Sequence, residues 1–298
     1  MSLKDTCQDS TRRVISASRR TDLPARFPGW LAGVLAAGRA EVLGPRGGPR
    51  AVDLRPESVH TLVLWSKDFS AVLENRHSLR TLLARYEQVY FLFTITGLGG
   101  TFIEKGVPPP VEALAQLPKL VALSGHPRRV SARFDPVVYW RESGGTRTNL
   151  PFFERLAPRA AAEGITDIRF SFAQWYGKAR HRAERAGFDY LDTAEEEKLE
   201  AARFLAGIAA ANGLRLLSCS QNFLAAVPGI ESSSCIDGAL LTELHPRREP
   251  AVRRKDKTQR PECGCTESID IGSYTQACPH ACLYCYANPK LTDADRGS

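Results

Sequence analysis

Val89-Tyr90-Phe91-Leu92-Phe93-Thr94-Ile95-Thr96 is a nearly unbroken apolar run of strand length. A strand with one wet face alternates apolar and polar residues. A run without alternation is covered on both faces, which is the condition of a parallel sheet packed between layers. Working outward, similar runs lie at 14–18, 61–66, 130–134, 167–172 and 214–219, with 89–96 among them. Helical patterns separate them at 70–86, 111–123, 151–163 and 194–211. The last helix is the best marked. Thr193 and Glu196 have capping-box spacing, and Asn212-Gly213 is a stop signal. The stretch 40–54, with Pro45 and Gly47-Gly48 inside, reads as an inserted hairpin. Repeated βα units predict an α/β fold whose parallel sheet is open or closed into a barrel.

Composition fits a folded chain with a substantial core: 298 residues, 43% hydrophobic and 24% charged. It excludes collagen, bulk disorder and a coiled coil, and no apolar stretch is long enough for a membrane span. Residues 1–13 carry no apolar h-region, so no secretory signal is expected and the cytoplasm is the expected compartment. The net charge of +7 is local. Residues 247–260 hold seven basic and two acidic side chains, a net of +5. Such a run suits phosphate, nucleic acid or plain solvent.

Polar residues gather after successive strands: Ser18-Arg19-Arg20-Thr21-Asp22, Trp65-Ser66-Lys67-Asp68, Thr94-Ile95-Thr96-Gly97, Arg133-Phe134-Asp135-Pro136 and Gln174-Trp175. Ligands of parallel α/β proteins bind at the carboxyl ends of strands, so a pocket is expected there. Gly97-Leu98-Gly99-Gly100 lacks the Lys-Ser/Thr of a phosphate loop, and no nucleophile elbow is present.

Eight cysteines are spread unevenly, and five of them, Cys263, Cys265, Cys278, Cys282 and Cys285, fall within 23 residues. In a reducing compartment clustered thiols point to metal or catalysis. Cys278-Pro279-His280-Ala281-Cys282-Leu283-Tyr284-Cys285 has CxxxCxxC spacing. Three thiolates on one tight loop suit three irons of a cubane and leave the fourth iron open, as catalysis at a metal requires. Zinc is the competing reading, but zinc favours paired CxxC knuckles. His280 inside the motif stays unassigned. The four thiols Cys219, Cys235, Cys263 and Cys265 match the ligand count of a closed second [4Fe–4S] cluster or a zinc site, against the simpler reading of buried thiols. Cys7 has no partner and is expected to be non-functional.

The CxxxCxxC run with Tyr284 before its last cysteine resembles the signature of the radical S-adenosylmethionine (SAM) enzymes. The resemblance implies that Cys278, Cys282 and Cys285 hold a [4Fe–4S] cluster, that SAM binds its open iron, and that Tyr284 packs near the adenine. It implies reductive SAM cleavage, hydrogen abstraction from a substrate, and a flavodoxin- or ferredoxin-type electron donor. Ser18, Arg19, Thr96, Arg133 and Asp135 become candidate SAM-contacting residues, with a structural ion pair as the other reading of Arg133 and Asp135.

Most of that superfamily carries the cluster loop after its first barrel strand, whereas here 13 residues follow Cys285. The barrel must lie upstream, with the strand-like 267–272 acting as its first strand supplied last. The expected fold is then a circularly permuted, partial TIM-type (β/α) barrel: residues 1–245 form the body, and 246–298 bring the basic segment and cluster loop that complete the same domain. The motif pieces Val14–Asp22, Trp65-Ser66-Lys67, Arg133–Pro136, Cys235-Ile236-Asp237 and Lys255-Asp256-Lys257, with Cys263-Gly264-Cys265 before CxxxCxxC, resemble the DUF1848 family across nearly the whole chain. The alternative function is a non-catalytic iron–sulfur or zinc protein that binds nucleic acid through 247–260. The substrate class (small molecule, peptide or nucleic acid) stays open, and no membrane partner is expected.

Overall fold

The computed structural model describes residues 12–43, 48–287 and 289. Cys7, and Pro45 and Gly47 at the expected hairpin tip, lie outside them. Eight strands form one parallel sheet: β1 (Arg13–Ala17), β4 (Val59–Ser66), β5 (Val89–Thr94), β6 (Val130–Val137), β9 (Asp167–Phe172), β11 (Arg215–Ser218), β12 (Ile230–Ser232) and β13 (Ile269–Asp270). Their order is β12-β11-β9-β6-β5-β4-β1-β13. From β1 to β12 the strands follow one another in chain order, and the last strand returns to pair in parallel with the first, Ile15 opposite Ile269. Among the described residues no ladder joins β12 to β13, so the sheet is open rather than a closed barrel.

The expected hairpin is present: β2 (Arg39–Leu43) pairs antiparallel with β3 (Pro49–Asp53). A small antiparallel sheet of β7 (Tyr139–Glu142), β8 (Gly145–Thr148) and β10 (Tyr190–Leu191) was not foreseen, because its strands are short and lack an apolar run. The helices are α1 (Leu23–Arg26), α2 (Pro28–Ala37), α3 (Ser70–Leu73), α4 (Leu79–Leu83), α5 (Pro110–Ser124), α6 (Phe153–Ala162), α7 (Gly177–Arg185), α8 (Glu195–Ala211) and α9 (Gly238–Leu244). None of the described helices is long and apolar enough to cross a membrane.

The lack of alternation in the strands has a concrete cause. Every residue of β4 is buried. Leu62 and Leu64 of β4 and Phe91 and Phe93 of β5 face the helices, in one core with Leu117, Leu156 and Leu205. Phe69 meets Phe91 and Phe93 edge-on, at centroid distances of 5.4 and 5.3 Å. Full burial of each such side chain contributes about 1.5–3 kcal/mol. The intervening Val63, Trp65, Tyr90 and Leu92 pack against Cys235, Ile236, Leu241, Ala251, Cys263 and Cys265. The second face is therefore covered by the late segment 235–265.

Two helix expectations need correction. The pattern over 70–86 is not one helix: it breaks between α3 and α4, where Asn75, His77 and Ser78 adopt positive φ and the Asn75 side chain accepts the Thr81 N–H. The Thr193–Glu196 capping box does not form. Ala194 is the N-cap, no side chain caps it, and Glu195, Glu196 and Glu197 occupy the first turn, where carboxylates favour the helix dipole. The stop is as expected, with Gly213 at φ 66° after Asn212.

Candidate metal centre and strand-end cavity

The carboxyl ends of the parallel strands open into a cavity of about 1430 Å3, whose wall includes Arg19, Trp65, Lys67, Arg133, Asp135 and Gln174. The first strand and the last meet there through one carboxylate. Asp270 accepts from Ser16 Oγ (2.9 Å), Ser18 Oγ (2.7 Å), the Arg19 N–H (2.8 Å) and the Gly272 N–H (3.0 Å). This carboxylate binds β13 to β1, and the chain beyond β13 runs into the cysteine loop.

Cys278 and Cys282 are buried and Cys285 is half-buried, and all three reach the cavity wall. Burial pushes all three thiols up, Cys278 to about 11. A bound metal reverses that balance, because it takes the thiolate and releases the proton. The loop is fixed by backbone contacts: the Gly106 N–H donates to the His280 carbonyl at 3.1 Å and the Leu283 N–H to the Ile103 carbonyl at 3.1 Å. Gly106 has to be glycine, since a Cβ there would sit 2.4 Å from the Pro279 oxygen. Leu283 inserts into an apolar cluster with Ile103, Ala179 and Ala183. Buried Arg182 of α7 donates to the carbonyls of Leu283 and Cys285, both at 2.8 Å, and to that of Ala287 at 3.4 Å.

Two buried polar networks hold the motif's other side chains. His280 contacts Asp22 Oδ2 through Nε2 and the Gly106 carbonyl through Nδ1, both at 2.8 Å. Each ring nitrogen therefore faces an oxygen of a separate segment, one from β1's end and one from the 97–107 loop. Burial raises the Asp22 carboxyl, but His280, the Lys67 N–H and Ser66 outweigh it and hold the group below its ordinary range. Tyr284 donates its hydroxyl to Glu104, which also accepts from Lys67 Nζ (2.9 Å) and Thr96 Oγ1 (2.8 Å). Lys67 lies 5.6 Å from the centre of the Tyr284 ring. Burial works against its charge, but Glu104, with Cys282 and Asp135, outweighs it and holds the ammonium above the usual range.

The remaining four thiols also line the cavity and come together. Cys219 Sγ and Cys235 Sγ are 3.7 Å apart, and Cys265 lies close enough to Cys235 and Cys263 for both to influence its thiol. Hydrogen bonds from these neighbours lower Cys219 and Cys265 and correspondingly raise Cys235 and Cys263. Guanidinium groups surround them. Arg19 and Arg133 lie 5.3 and 5.1 Å from the centre of the Trp65 ring, whose Nε1–H donates to Ser16 Oγ at 3.0 Å.

The sequence profile of one family, described as "Domain of unknown function (DUF1848)", matches residues 14–287. The chain belongs to the DUF1848 family. None of the curated proteins matches it.

In this DUF1848 chain the expected pocket at the strand ends is present, but several residues do other work than expected. Ser18 lines the cavity, yet its hydroxyl is committed to Asp270 and to the Arg20 N–H. Thr96 is buried behind the wall and acts through Glu104. Arg133 pairs with Asp135, and its charge is supported by Asp135, Cys235 and Cys219 against burial, which places the pair beside the four-thiol group rather than the cysteine loop. The strand order is the reason: β6 stands two strands from β11, which ends at Cys219, and four from β13. Trp175 turns from the cavity and stacks on Tyr190 with centroids 4.0 Å apart. Arg19 lines the cavity, and its carbonyl accepts the Tyr286 hydroxyl.

Sequence reading did not single out Asp22, Glu104, Arg182 or Asp270 as parts of the site. Asp22 and Asp270 stand inside stretches read as a strand-end polar set and as the last strand, without a role of their own, but Glu104 and Arg182 lie in ordinary charged stretches and carry no local signal. The basic segment is less available than its charge suggests. Arg247 pairs with Glu87 (2.8 Å), Arg254 with Glu267 (2.6 Å), and Lys255 donates to backbone carbonyls. Separately, ligand atoms of Glu87, His245 and Glu249 lie within 4.8 Å of one another. Arg12 and Arg247 already neutralise those carboxylates, so the group is an ion-pair network.

Proposed function

We propose that this DUF1848 chain is a radical SAM enzyme whose [4Fe–4S] cluster is held by Cys278, Cys282 and Cys285. The observation that carries the reading is their position: three motif thiols and Tyr284 share one wall of a large cavity at the carboxyl ends of parallel strands. The soft donor set suits iron–sulfur chemistry. The cavity exceeds the roughly 300–1,000 Å3 of an ordinary ligand pocket, which leaves space for a substrate beside SAM. Bound there and reduced, the cluster with SAM would supply a 5′-deoxyadenosyl radical for hydrogen abstraction.

The chain's own residues orient the site. Arg182 holds the loop carbonyls, the Asp22–His280 pair fixes the first half of the motif, and Glu104 with Lys67 and Thr96 fixes the Tyr284 ring. Arg19 and Arg133 bring positive charge to the cavity wall on the side of the four other thiols. The fold proposed with this activity is a permuted, partial (β/α) barrel in which β13 takes the place of the first strand. The parallel pairing of β13 with β1 and the sequential order of the other strands support it. The reading calls for a flavodoxin- or ferredoxin-type donor and a reducing cytoplasm.

The test is anaerobic reconstitution with iron and sulfide, then dithionite and SAM, with 5′-deoxyadenosine measured by chromatography. Release is expected from the parent and not from a variant with Cys278, Cys282 and Cys285 all changed to Ala. Undiminished release from that variant, or none from a cluster-loaded parent, overturns the reading.

A further inference from the structure

We propose that Cys219, Cys235, Cys263 and Cys265 form a second metal centre, in which four thiolates ligate a thiophilic metal as a closed site distinct from the cysteine loop. The thiols come from three separated segments. Cys219 follows β11, Cys235 follows β12, and Cys263 and Cys265 sit on the loop that leads back to β13. The chain is built to bring them together. The Ser234 hydroxyl donates to the Gly264 carbonyl at 2.8 Å, and the Thr266 N–H to the Ile236 carbonyl at 2.9 Å. A Cβ at Gly264 would lie 2.5 Å from Ser234 Oγ, so only glycine lets the Cys-Gly-Cys turn lie flat against Ser233-Ser234-Cys235. The Ile236 N–H points at Cys265 Sγ, 3.4 Å away, an N–H···S contact of the kind that supports a thiolate.

Spacing and charge both fit a ligated metal. A tetrahedral ion with metal–sulfur bonds of about 2.3 Å has sulfur–sulfur edges of about 3.8 Å, and Cys219 and Cys235 stand 3.7 Å apart. Four thiolates around one divalent ion, or around a cubane, leave a net negative charge that needs cations nearby. Arg19 is such a cation, flanked by Cys265 and Asp270. Its guanidinium bonds Ser268 Oγ at 3.1 Å, and its Nη2 is buried with no hydrogen-bond partner. With four protein ligands a single ion keeps no open position. The centre therefore anchors the segment that covers the second face of the sheet and lines the cavity. None of this depends on SAM cleavage at the other site.

The experiment uses the full-length chain carrying Cys278→Ala, Cys282→Ala and Cys285→Ala, so that only the second centre remains. Samples are loaded anaerobically with zinc or with iron and sulfide, desalted, and assayed for metal by mass spectrometry. Retention of about one zinc or about four irons per chain is expected, and which of them is kept identifies the centre. Adding Cys263→Ser and Cys265→Ser should bring bound metal to background. Cobalt(II) is the second probe, because four thiolates give it intense thiolate-to-metal absorption that a misfolded sample lacks. A triple variant that is folded by circular dichroism but binds no zinc, iron or cobalt overturns the proposal. Unchanged metal after loss of Cys263 and Cys265 does so too. Metal kept by the triple variant while the parent fails to cleave SAM supports this centre and sinks only the cleavage reading.

Discussion

Replacing Arg182 with Met removes a side chain that holds three carbonyls of the cysteine loop. Its two short bonds, to the Leu283 and Cys285 oxygens, are 2.8 Å each, and the third, to Ala287, is a weak 3.4 Å. A hydrogen bond involving a charged group contributes about 1.5–3 kcal/mol, so the two short bonds are worth roughly 3–6 kcal/mol to the folded loop. Met fills much of the volume but leaves both oxygens buried without a donor. The loss should be local: the loop opens before the sheet does, because β1 and β4 are held by their own ladder and core. A loss of about 3 kcal/mol corresponds to about 100-fold faster opening-limited exchange. Native-state hydrogen exchange of the Leu283 and Cys285 amides reads this directly, since both are hydrogen-bonded, to Ile103 and Cys282. Arg182→Lys, which can make one such bond, should fall between parent and Met. Exchange of both amides in Arg182→Met within about threefold of the parent would refute the clamp.

Lys67→Met should cost about 3–5 kcal/mol in urea unfolding, because it leaves Glu104, fully buried, without its cation. Lys67→Met with Glu104→Gln should recover part of that loss, and strictly additive single effects would count against the pair. Stability should also fall as acid charges the His60–His245 pair, whose rings lie 4.5 Å apart beside Arg12, Glu87 and Glu249. Burial, then His60, depresses His245 from 6.5 to about 4, and burial depresses His60 as well. A histidine held neutral in the fold contributes stability that is whole above about pH 6.5 and lost as pH falls towards 4. His245→Asn should flatten that part of the melting-temperature profile, and a profile identical to the parent's would remove His245 as its source.

Much of this architecture was legible in local pattern. Val89–Thr94 reads as a doubly covered strand because no polar residue interrupts it, and the fold covers it with helices on one side and segment 235–265 on the other. The cysteine loop was legible because its three thiols are close in sequence. The hairpin 39–53 was legible from its turn residues. The break in 70–86 was not, because Asn75 to Ser78 carry no proline or glycine and the left-handed turn depends on the packing of its neighbours.

By itself the sequence determined what short-range chemistry controls: which long apolar runs are strands of the main sheet, that this sheet is parallel, and that Cys278, Cys282 and Cys285 share one loop. Tertiary structure alone decided which distant groups meet. Glu104 reaches Tyr284, 180 residues away, and Arg182 reaches Leu283, 101 residues away. Strand order sends Arg133 to Cys219 and Cys235 rather than to the loop, and the return of β13 to β1 carries that loop to the cavity. Periodicity specifies a face of each strand, but strand order across a sheet follows from how all the covered faces close around a common core, which no single stretch encodes.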